Sequence, residues 1–440
     1  METEPDLSGK ETGAAEETIR PFGGAGGNTM SKAVFNYIMN NWHNTIRDPG
    51  EVLPHGIIRL PKPFTVPCIK EVFTDFYYWD TYFTNLGLMC SGLDEQAGNN
   101  LDTMLYLVQN LGFIPNANHL TDRSQPPLFT RGVYDLWKKR GDNGIVDKYV
   151  DGILAELRFF AYDRMTSCGL NQYACHATRI GLLNQSGLIG RVGMQVEGDE
   201  ARIALTRDLL SIAESGWDFN PRYRTDASPF AAGQFVNVDL NSLLYDAERK
   251  AAEMLRAVGR DPEADRLDAA ADARRGLMLS LMRDPGDGIL YDYNFVEGSH
   301  GRVLSCASFY PLAMGISDDA AAAKRILARL ELPCGLSACE ERAGEGIYLQ
   351  WDYPAMWPSN VYMACTALSA LGLEEDAARV ARKYVDAVDE LFEKTGSLWE
   401  KYDARDGAKS VTGEYETPAM MGWTAGMYLY LGGRYGLLSD

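Results

Sequence analysis

The sequence lacks the short motifs of most hydrolases and nucleotide-dependent enzymes. It has only five histidines and no H-E-x-x-H, which argues against a zinc protease of that kind. It has no G-x-S-x-G, so it does not encode the nucleophile elbow of an α/β-hydrolase. No Walker A lysine occurs and no G-x-G-x-x-G follows a strand pattern, so nucleotide binding is not supported. Carboxylates are left as the main candidates for catalysis.

Signals for metal sites and disulfides are also missing. The eight cysteines form no C-x-x-C pair, and Cys334 and Cys339 have no histidine near enough to complete a zinc signature. The acid-rich segment DPGDGILYDYN, residues 284–294, lacks the ligand spacing and terminal glutamate of a calcium loop. We therefore expect free thiols in a reducing compartment, with no metal and no cofactor.

Positive charge is scarce. The 440 residues include 42 basic and 61 acidic side chains, which gives a formal net charge of −19. No basic run compensates, so neither nucleic acid nor an anionic membrane surface is an expected partner, whereas a neutral substrate meets no electrostatic barrier. The polar N-terminus has no apolar h-region, and no run of about 18 apolar residues occurs. These features predict a cytoplasmic protein without a transmembrane helix.

Helical periodicity dominates the chain after a glycine-rich start. Residues 1–28 are rich in Glu, Thr and Gly, which predicts a flexible tail ahead of one domain over residues 29–440. Asp239 is a candidate helix cap before an apolar stripe that ends at Val258; Gly259 then predicts a left-handed stop, and Pro262 a new helix. Further helices are predicted at 31–46, 93–110, 147–165, 201–214, 318–331, 360–371, 372–396 and 422–432. About a dozen paired helices indicate an all-α fold.

Five segments between these helices combine aromatic, carboxylate, amide and arginine side chains: FYYWDTYFTN, GFIPNANHLTDRSQPP, AESGWDFNPRY, QWDYPAMWPSN and LWEKYD. Aromatic faces stack on sugars, while Asp, Asn, Gln and Arg bind hydroxyl pairs. Glycoside hydrolysis needs one protonated and one ionised carboxyl group, and contact with an indole raises a carboxyl pKa. A tryptophan directly precedes each of Asp80, Asp218, Asp352 and Glu400. Composition alone does not rank these four acids.

The order of these segments resembles that of the trehalase-like inverting glycosidases, which are glycoside hydrolase family 37 and the related family 63, including mannosylglycerate and glucosylglycerate hydrolases. FYYWDTYF is similar to the Y-x-W-D-x-Y-F segment of trehalases. GFIPNANHLTDRSQPP is similar to the segment that supplies an Asn and an Arg-Ser-Gln to the sugar. AESGWDF, QWDYP and EKYD, followed by GEY and GWT, complete the series. The resemblance runs from about residue 64 to the C-terminus.

This resemblance implies an (α/α)6 barrel with a pocket at one end and inversion at the anomeric carbon. It implies that Asp218 is the general acid and Glu400 the general base that activates water. The expected substrate is a small neutral saccharide, trehalose or a similar α-glucoside. The positions expected to bind or line the sugar pocket are Trp79, Asp80, Asn116, Arg123, Ser124, Gln125, Gly216, Trp217, Gln350, Trp351, Asp352, Glu414 and Trp423.

Three departures from the trehalase pattern leave the substrate open. Val72 stands where trehalases have the arginine of P-G-G-R-F, and QWDYPAMWPSN differs from Q-W-D-x-P-x-G-W-A-P at the Gly and Ala. The R-P-E segment has no clear counterpart, and Arg179 and Arg191 are both candidates for its arginine. Substrates of the family 63 type are therefore an alternative to trehalose. A sugar isomerase using His119 or His176, and a sugar-binding protein without catalysis, are the rival functions.

Overall fold

The structure, a computed structural model, describes residues 31–49, 57–70, 72–342, 349–410 and 414–437. The expected tail at 1–28 lies outside these ranges, so the tail and the domain boundary that follows it stay predictions. Within the described ranges the helices are α1 Lys32–Asn41, α2 Tyr78–Cys90, α3 Asp94–Leu111, α4 Phe129–Arg140, α5 Asn143–Asp163, α6 Arg179–Asn184, α7 Ser186–Arg191, α8 Asp199–Glu214, α9 Val238–Ala257, α10 Asp261–Leu281, α11 Tyr310–Ala313, α12 Ala320–Leu330, α13 Pro358–Ala370, α14 Glu374–Thr395 and α15 Gly422–Arg434.

Six of these helices form a closed inner ring. In the order α2, α4, α9, α11, α13 and α15, each helix packs against the next, and α15 packs against α2. A second layer lies outside: α3 and α5 pack on the first half of the ring, and α10, α12 and α14 on the second half. Every residue of α2 is buried, as expected of a helix that is surrounded on all sides. This arrangement is the predicted all-α, (α/α)6 barrel.

Two glycines allow the ring to close. Gly87 on α2 and Gly426 on α15 face each other so closely that a Cβ on Gly87 would overlap the Gly426 Cα, and a Cβ on Gly426 would overlap the Phe83 carbonyl. Without side chains at these positions, the two backbones pack directly together. The contact brings the start of α15 beside the start of α2, where the site is built.

The helix predictions are confirmed for most of the long amphipathic segments, whereas α2, α4, α6, α7 and α11 were not predicted. Gly259 has φ of 75° after α9, and Pro262 lies in the first turn of α10, as predicted. FYYWDTYFTN, predicted as a loop, instead leads into α2, and α4 was not predicted. Helix α2 is buried on every side, which removes the one-sided apolar stripe on which the prediction relied. Helix α4 has such a stripe, in which Phe129, Val133 and Leu136 are buried, and it could have been predicted.

The predicted cap at Asp239 is also wrong. Helix α9 begins at Val238, after Asn237, and Asp239 lies in its first turn. Its carboxylate forms an ion pair with Arg222, with Oδ1 2.6 Å from Nη2, and both side chains are buried. The arginine offers a buried carboxylate a full counter-charge, which a capped backbone amide does not.

The strands are short and tie loops together. Nine strands of two residues are described: β1 Ile46–Arg47, β2 Phe64–Thr65, β3 Phe235–Val236, β4 Tyr293–Asn294, β5 Ser299–His300, β6 Glu331–Leu332, β7 Gly335–Leu336, β8 Ala355–Met356 and β9 Tyr402–Asp403. They pair antiparallel as β1–β2, β3–β4–β5, β6–β7 and β8–β9. In the last pair Ala355 is opposite Asp403 and Met356 opposite Tyr402, which fixes the segment containing Trp351 beside the segment containing Glu400.

Candidate active site

A cavity of about 340 Å³ opens at the end of the barrel where the inner helices begin. This volume lies within the range of ~300–1,000 Å³ that is usual for small-molecule sites. Its walls come from the start of α2 and from the segments that precede α4, α9, α13 and α15. The lining residues are Val72, Phe73, Tyr77, Trp79, Asp80, Asn116, Leu120, Arg123, Gln125, Arg191, Gly216, Asp218, Trp351, Trp357, Glu400, Tyr415, Met420 and Trp423.

A cluster of indole rings forms the floor and one wall of the cavity. Trp351 stacks on Trp357 with ring centroids 3.7 Å apart and an angle of 3° between the planes. Trp217 also stacks on Trp351, with ring centroids 5.1 Å apart. Trp79 and Trp423 pack against the same group of rings. Packed rings of this size lose little freedom when a sugar binds, so they provide a rigid apolar surface.

Glu400 lies in a buried part of the cavity with both carboxylate oxygens occupied. Lys401 Nζ donates to Oε2 over 3.0 Å, and the Tyr415 hydroxyl donates to Oε1 over 2.8 Å. The Glu400 carbonyl accepts from Trp423 Nε1 at 3.0 Å, which fixes the backbone. Two donors on opposite oxygens hold the plane of the carboxylate.

Asp218 lies nearer the opening, with 31% of its side chain exposed. Arg191, at the end of α7, donates to Asp218 Oδ2 over 3.0 Å and to the Asp218 carbonyl over 3.2 Å. The same guanidinium donates to Glu414 Oε2 over 3.0 Å. Arg191 is thus shared between two carboxylates. Burial lowers its pKa, but Asp218 and Glu414 outweigh burial and raise it.

Asp80 is a buried acid in the same cavity. Burial, together with the neighbouring carboxylates of Glu400 and Asp218, raises its pKa to about 8, against a backbone hydrogen bond that lowers it. A carboxyl group with this pKa is protonated at neutral pH and can donate to a sugar hydroxyl. The expectation that a carboxyl beside an indole has a raised pKa therefore fits Asp80, which directly follows Trp79.

Asn116, Arg123, Gln125 and Gly216 also line the cavity, and their contact with a sugar stays a prediction. The Gln125 side-chain oxygen accepts from the backbone N–H of Trp79 at 3.0 Å, and the backbone N–H of Asn116 donates to the Arg123 carbonyl at 3.0 Å. Arg123 forms an ion pair with Asp122 at 2.6 Å, while its buried Nε has no protein partner. These bonds connect the Arg-Ser-Gln segment to the first turn of α2.

Five predicted contact residues do not line the cavity: Ser124, Trp217, Gln350, Asp352 and Glu414. The Ser124 hydroxyl donates to the Ile114 carbonyl, Trp217 lies behind Trp351, and Glu414 receives Arg191. The backbone N–H of Gln350 donates to the Glu414 carboxylate, so Gln350 positions the acid that binds Arg191.

Asp352 faces away from the sugar-sized cavity. It accepts two bonds from Arg342, at 2.9 and 2.7 Å, and its side chain is fully buried. It borders a separate space of about 100 Å³ behind the wall. Because Asp352 pairs with Arg342 and does not line the cavity, the expected sugar contact is corrected to an internal ion pair.

Sequence reasoning missed several lining residues: Phe73, Tyr77, Leu120, Trp357, Tyr415 and Met420. Trp357 and Tyr415 lie within QWDYPAMWPSN and GEY and could have been proposed from those segments. The choice between Arg179 and Arg191 is decided by place: Arg179 pairs with Glu200 on the surface, and Arg191 lines the cavity. Val72 does lie at the cavity, with a largely exposed side chain.

The rival chemistries find little support at this site. Among the described residues, neither His119 nor His176 lines the cavity: His119 lies 3.5 Å from Asp75, and His176 packs edge-on against Phe113. The same ranges contain no group of three or more His, Cys, Asp or Glu side chains placed to hold a metal. A helical barrel whose aromatic cavity presents Asp80, Asp218 and Glu400 belongs to the class of carboxylate-dependent carbohydrate enzymes.

The chain belongs to the trehalase family, whose sequence model matches residues 5–436. A periplasmic trehalase from Pseudomonas aeruginosa is 30% identical over 452 aligned positions, covering 97% of this chain and 80% of the relative. Neutral trehalase Nth1 from Saccharomyces cerevisiae superposes with a TM-score of 0.70 at 22% identity, over 91% of this chain and 79% of the yeast chain. A family 63 mannosylglycerate hydrolase from Thermus thermophilus superposes with a TM-score of 0.60 at 19% identity, over 90% of this chain and 98% of the Thermus chain.

These comparisons confirm the resemblance and the enzyme class: the protein is a glycoside hydrolase. The isomerase and the non-catalytic sugar-binding alternatives are therefore set aside. The expected cytoplasmic location is contradicted, because the Pseudomonas relative is a periplasmic enzyme. None of the helices in the described ranges combines the length and apolar character needed to cross a membrane.

Proposed function

We propose that the protein hydrolyses trehalose with inversion, with Asp218 as general acid and Glu400 as general base. The observation that carries the proposal is the contrast between the two acids in one cavity. Glu400 is buried and accepts bonds from Lys401 and Tyr415 on its two carboxylate oxygens, and a base has to be ionised to take a proton from water. Asp218 is the more exposed acid, with 31% of its side chain open to solvent.

The acid role concerns the contact between Arg191 and Asp218. Arg191 donates to Asp218 Oδ2 over 3.0 Å. A general acid must be protonated before it donates to the glycosidic oxygen. Arg191 binds only the Oδ2 atom of Asp218, so the other carboxylate oxygen can carry the proton, and Glu414 shares the arginine. Burial raises the pKa of Glu414 to about 7, partly offset by Arg191.

A neutral disaccharide fits the charges of the cavity better than an acidic glycoside. Both arginines that line it already bind carboxylates: Arg123 binds Asp122, and Arg191 binds Asp218 and Glu414. A glycerate carboxylate would have to compete with these pairs. This favours trehalose, the substrate named for the relatives, over mannosylglycerate or glucosylglycerate. Val72 adds no charge to the wall, which is consistent with a neutral leaving group.

The test is release of sugar from trehalose, kojibiose, nigerose, sucrose, glucosylglycerate and mannosylglycerate, with NMR detection of the first anomer formed. Trehalose should react fastest and give β-glucose together with α-glucose. Asp218→Asn and Glu400→Gln should each lower kcat at least about 100-fold, since general acid–base catalysis contributes ~10²–10⁴-fold.

Matched controls come from the same segments. Asp226→Asn and Glu416→Gln remove exposed carboxylates that pair with Arg302 and Lys409 away from the cavity, and should leave kcat unchanged. Formation of α-glucose alone, which indicates retention, would refute the mechanism. Faster hydrolysis of an acidic glycoside than of trehalose would refute the substrate assignment.

The periplasm is the location we propose, on the basis of the Pseudomonas relative. Cell fractionation of the source organism by osmotic shock tests it. Trehalose-hydrolysing activity and the protein itself should appear together in the shock fluid, whereas retention of both with a cytoplasmic marker enzyme would refute the proposal.

A further inference from the structure

Lys401 is a buried cation to which the proposed reaction assigns no role. Its side chain is fully shielded from solvent, and its Nζ donates to Glu400 Oε2 over 3.0 Å. Lysine is among the residues least often buried without a partner, because an ammonium ion loses its hydration there. Glu400 is the carboxylate that compensates for this loss.

Two aromatic rings complete the surroundings of the ammonium group. Nζ lies 4.8 Å from the centre of the Trp357 ring and 4.6 Å from that of the Tyr415 ring, distances at which a cation is attracted to the ring face. Burial lowers the pKa of Lys401, and Glu400 acts in the opposite direction. The charge on Lys401 is thus tied to the charge on Glu400.

Lys401 and Tyr415 act on the Glu400 carboxylate in different ways. Tyr415 binds Oε1 and Lys401 binds Oε2, so the plane of the Glu400 carboxylate cannot turn without breaking a bond. Lys401 alone of the two brings a positive charge. Asp80 shows what burial does to an acid of this cavity whose charged neighbours are carboxylates: its pKa rises to about 8.

We propose that Lys401 is a positioning residue that keeps Glu400 ionised and correctly oriented as the catalytic base. The inference deepens the proposed function and rests on it, since it assumes that Glu400 takes the proton from water. The ammonium makes a protonated Glu400 unfavourable, so the base returns its proton readily after each turnover. The other charged or titratable groups that face this pair are Asp80, Asp218, Glu414, Arg191 and Tyr415.

The experiment is the pH dependence of kcat/KM on trehalose for Lys401→Met. Without the neighbouring cation Glu400 holds its proton to higher pH, so the acid limb should move up by about one pH unit or more. At pH values below the displaced limb, kcat/KM of Lys401→Met should be about ten-fold or more lower than that of wild type. At pH values above the limb, the loss should be much smaller. Lys401→Arg keeps the charge, so its acid limb should stay within a few tenths of a pH unit of the wild-type limb.

A matched control removes a lysine–glutamate pair elsewhere. Lys383 binds Glu331 at 2.8 Å, between α14 and the strand after α12. Lys383→Met should leave the pH profile unchanged. Tyr415→Phe removes the other donor to Glu400 without changing the charge, and should move the acid limb less than Lys401→Met does.

The outcomes separate the inference from the function on which it rests. An unmoved acid limb in Lys401→Met, with activity lowered equally at every pH, would overturn the inference while leaving Glu400 as the base. Full activity in Glu400→Gln would instead overturn the proposed function. If Lys401→Met does not fold, Lys401→Gln, which keeps a donor without the charge, takes its place with the same expected displacement.

Discussion

Gly216 is expected to be required for both stability and activity, because no other residue fits between Trp79 and the acid loop. Its φ is 74°, a conformation that costs a residue with a side chain roughly 1–2 kcal/mol. A Cβ there would lie 2.6 Å from Cε2 and 2.7 Å from Cζ2 of Trp79, about 1 Å inside an ordinary carbon–carbon contact of ~3.5–4.0 Å. Overpacking a buried site costs about 1–3 kcal/mol more.

Gly216→Ala should therefore lower the free energy of unfolding by about 2–5 kcal/mol, as measured by urea denaturation. Gly259→Ala is the matched control, because Gly259 has φ of 75° but nothing within 4 Å of the added Cβ, so it should cost only about 1–2 kcal/mol. Gly216→Ala should also lower kcat/KM on trehalose, since Trp79 lines the cavity and Asp218 follows two residues later. Equal losses of stability in the two variants would refute the steric argument.

Two further predictions concern buried charge. The pKa of Asp80 is about 8 in the folded protein against an ordinary value of 3.8, so its contribution to stability is fully present below about pH 4 and is lost as the pH rises through 8. Asp80→Asn should thus need more urea to unfold than wild type at pH 8, and the same amount near pH 4. The variant should bind substrate poorly. A difference in urea resistance that does not change with pH would contradict this prediction. Arg222→Met leaves Asp239 and Asp292 buried without their cation and should cost about 3–5 kcal/mol in urea denaturation, whereas Arg302→Met, which removes a surface pair, should stay within about 1 kcal/mol; equal effects would contradict it.

Helical periodicity predicted the all-α fold, whereas the resemblance of the ordered motifs implied the (α/α)6 barrel and the residues of the sugar pocket. The outer helix α14 has a strong apolar stripe, which is visible in any single sequence. The inner helix α2 is buried on every side and has no such stripe, so its residues were read as a loop. The order of short motifs nevertheless brought Asp80 and Gln125 to the same pocket, because the residues of one motif lie within a few positions of each other.

The motif segments led to wrong predictions where one segment contains both residues that line the cavity and residues that only support those residues. In Trp351-Asp352 one side chain lines the cavity and the next one points to Arg342, behind the wall. Trp351 and Asp352 lie in a turn ahead of β8, so the directions of their side chains follow from the folding of that turn. The sequence motif alone does not indicate which of the two side chains faces the cavity.

The charged neighbours of the proposed acid and base are residues whose positions in the sequence do not indicate this role. Arg191 lies 27 positions before Asp218 and 223 positions before Glu414, yet it binds both, and no motif connects them. Lys401, in contrast, is adjacent to Glu400 in the chain, and its importance was missed because surface lysines beside acids are common and contribute little. Burial changes that judgement, because an ammonium ion packed between Trp357 and Tyr415 is screened from its neighbour less than a surface lysine is. What distinguishes the proposed base from the other acids of the cavity is therefore its buried cation, more than the tryptophan that precedes it in the chain.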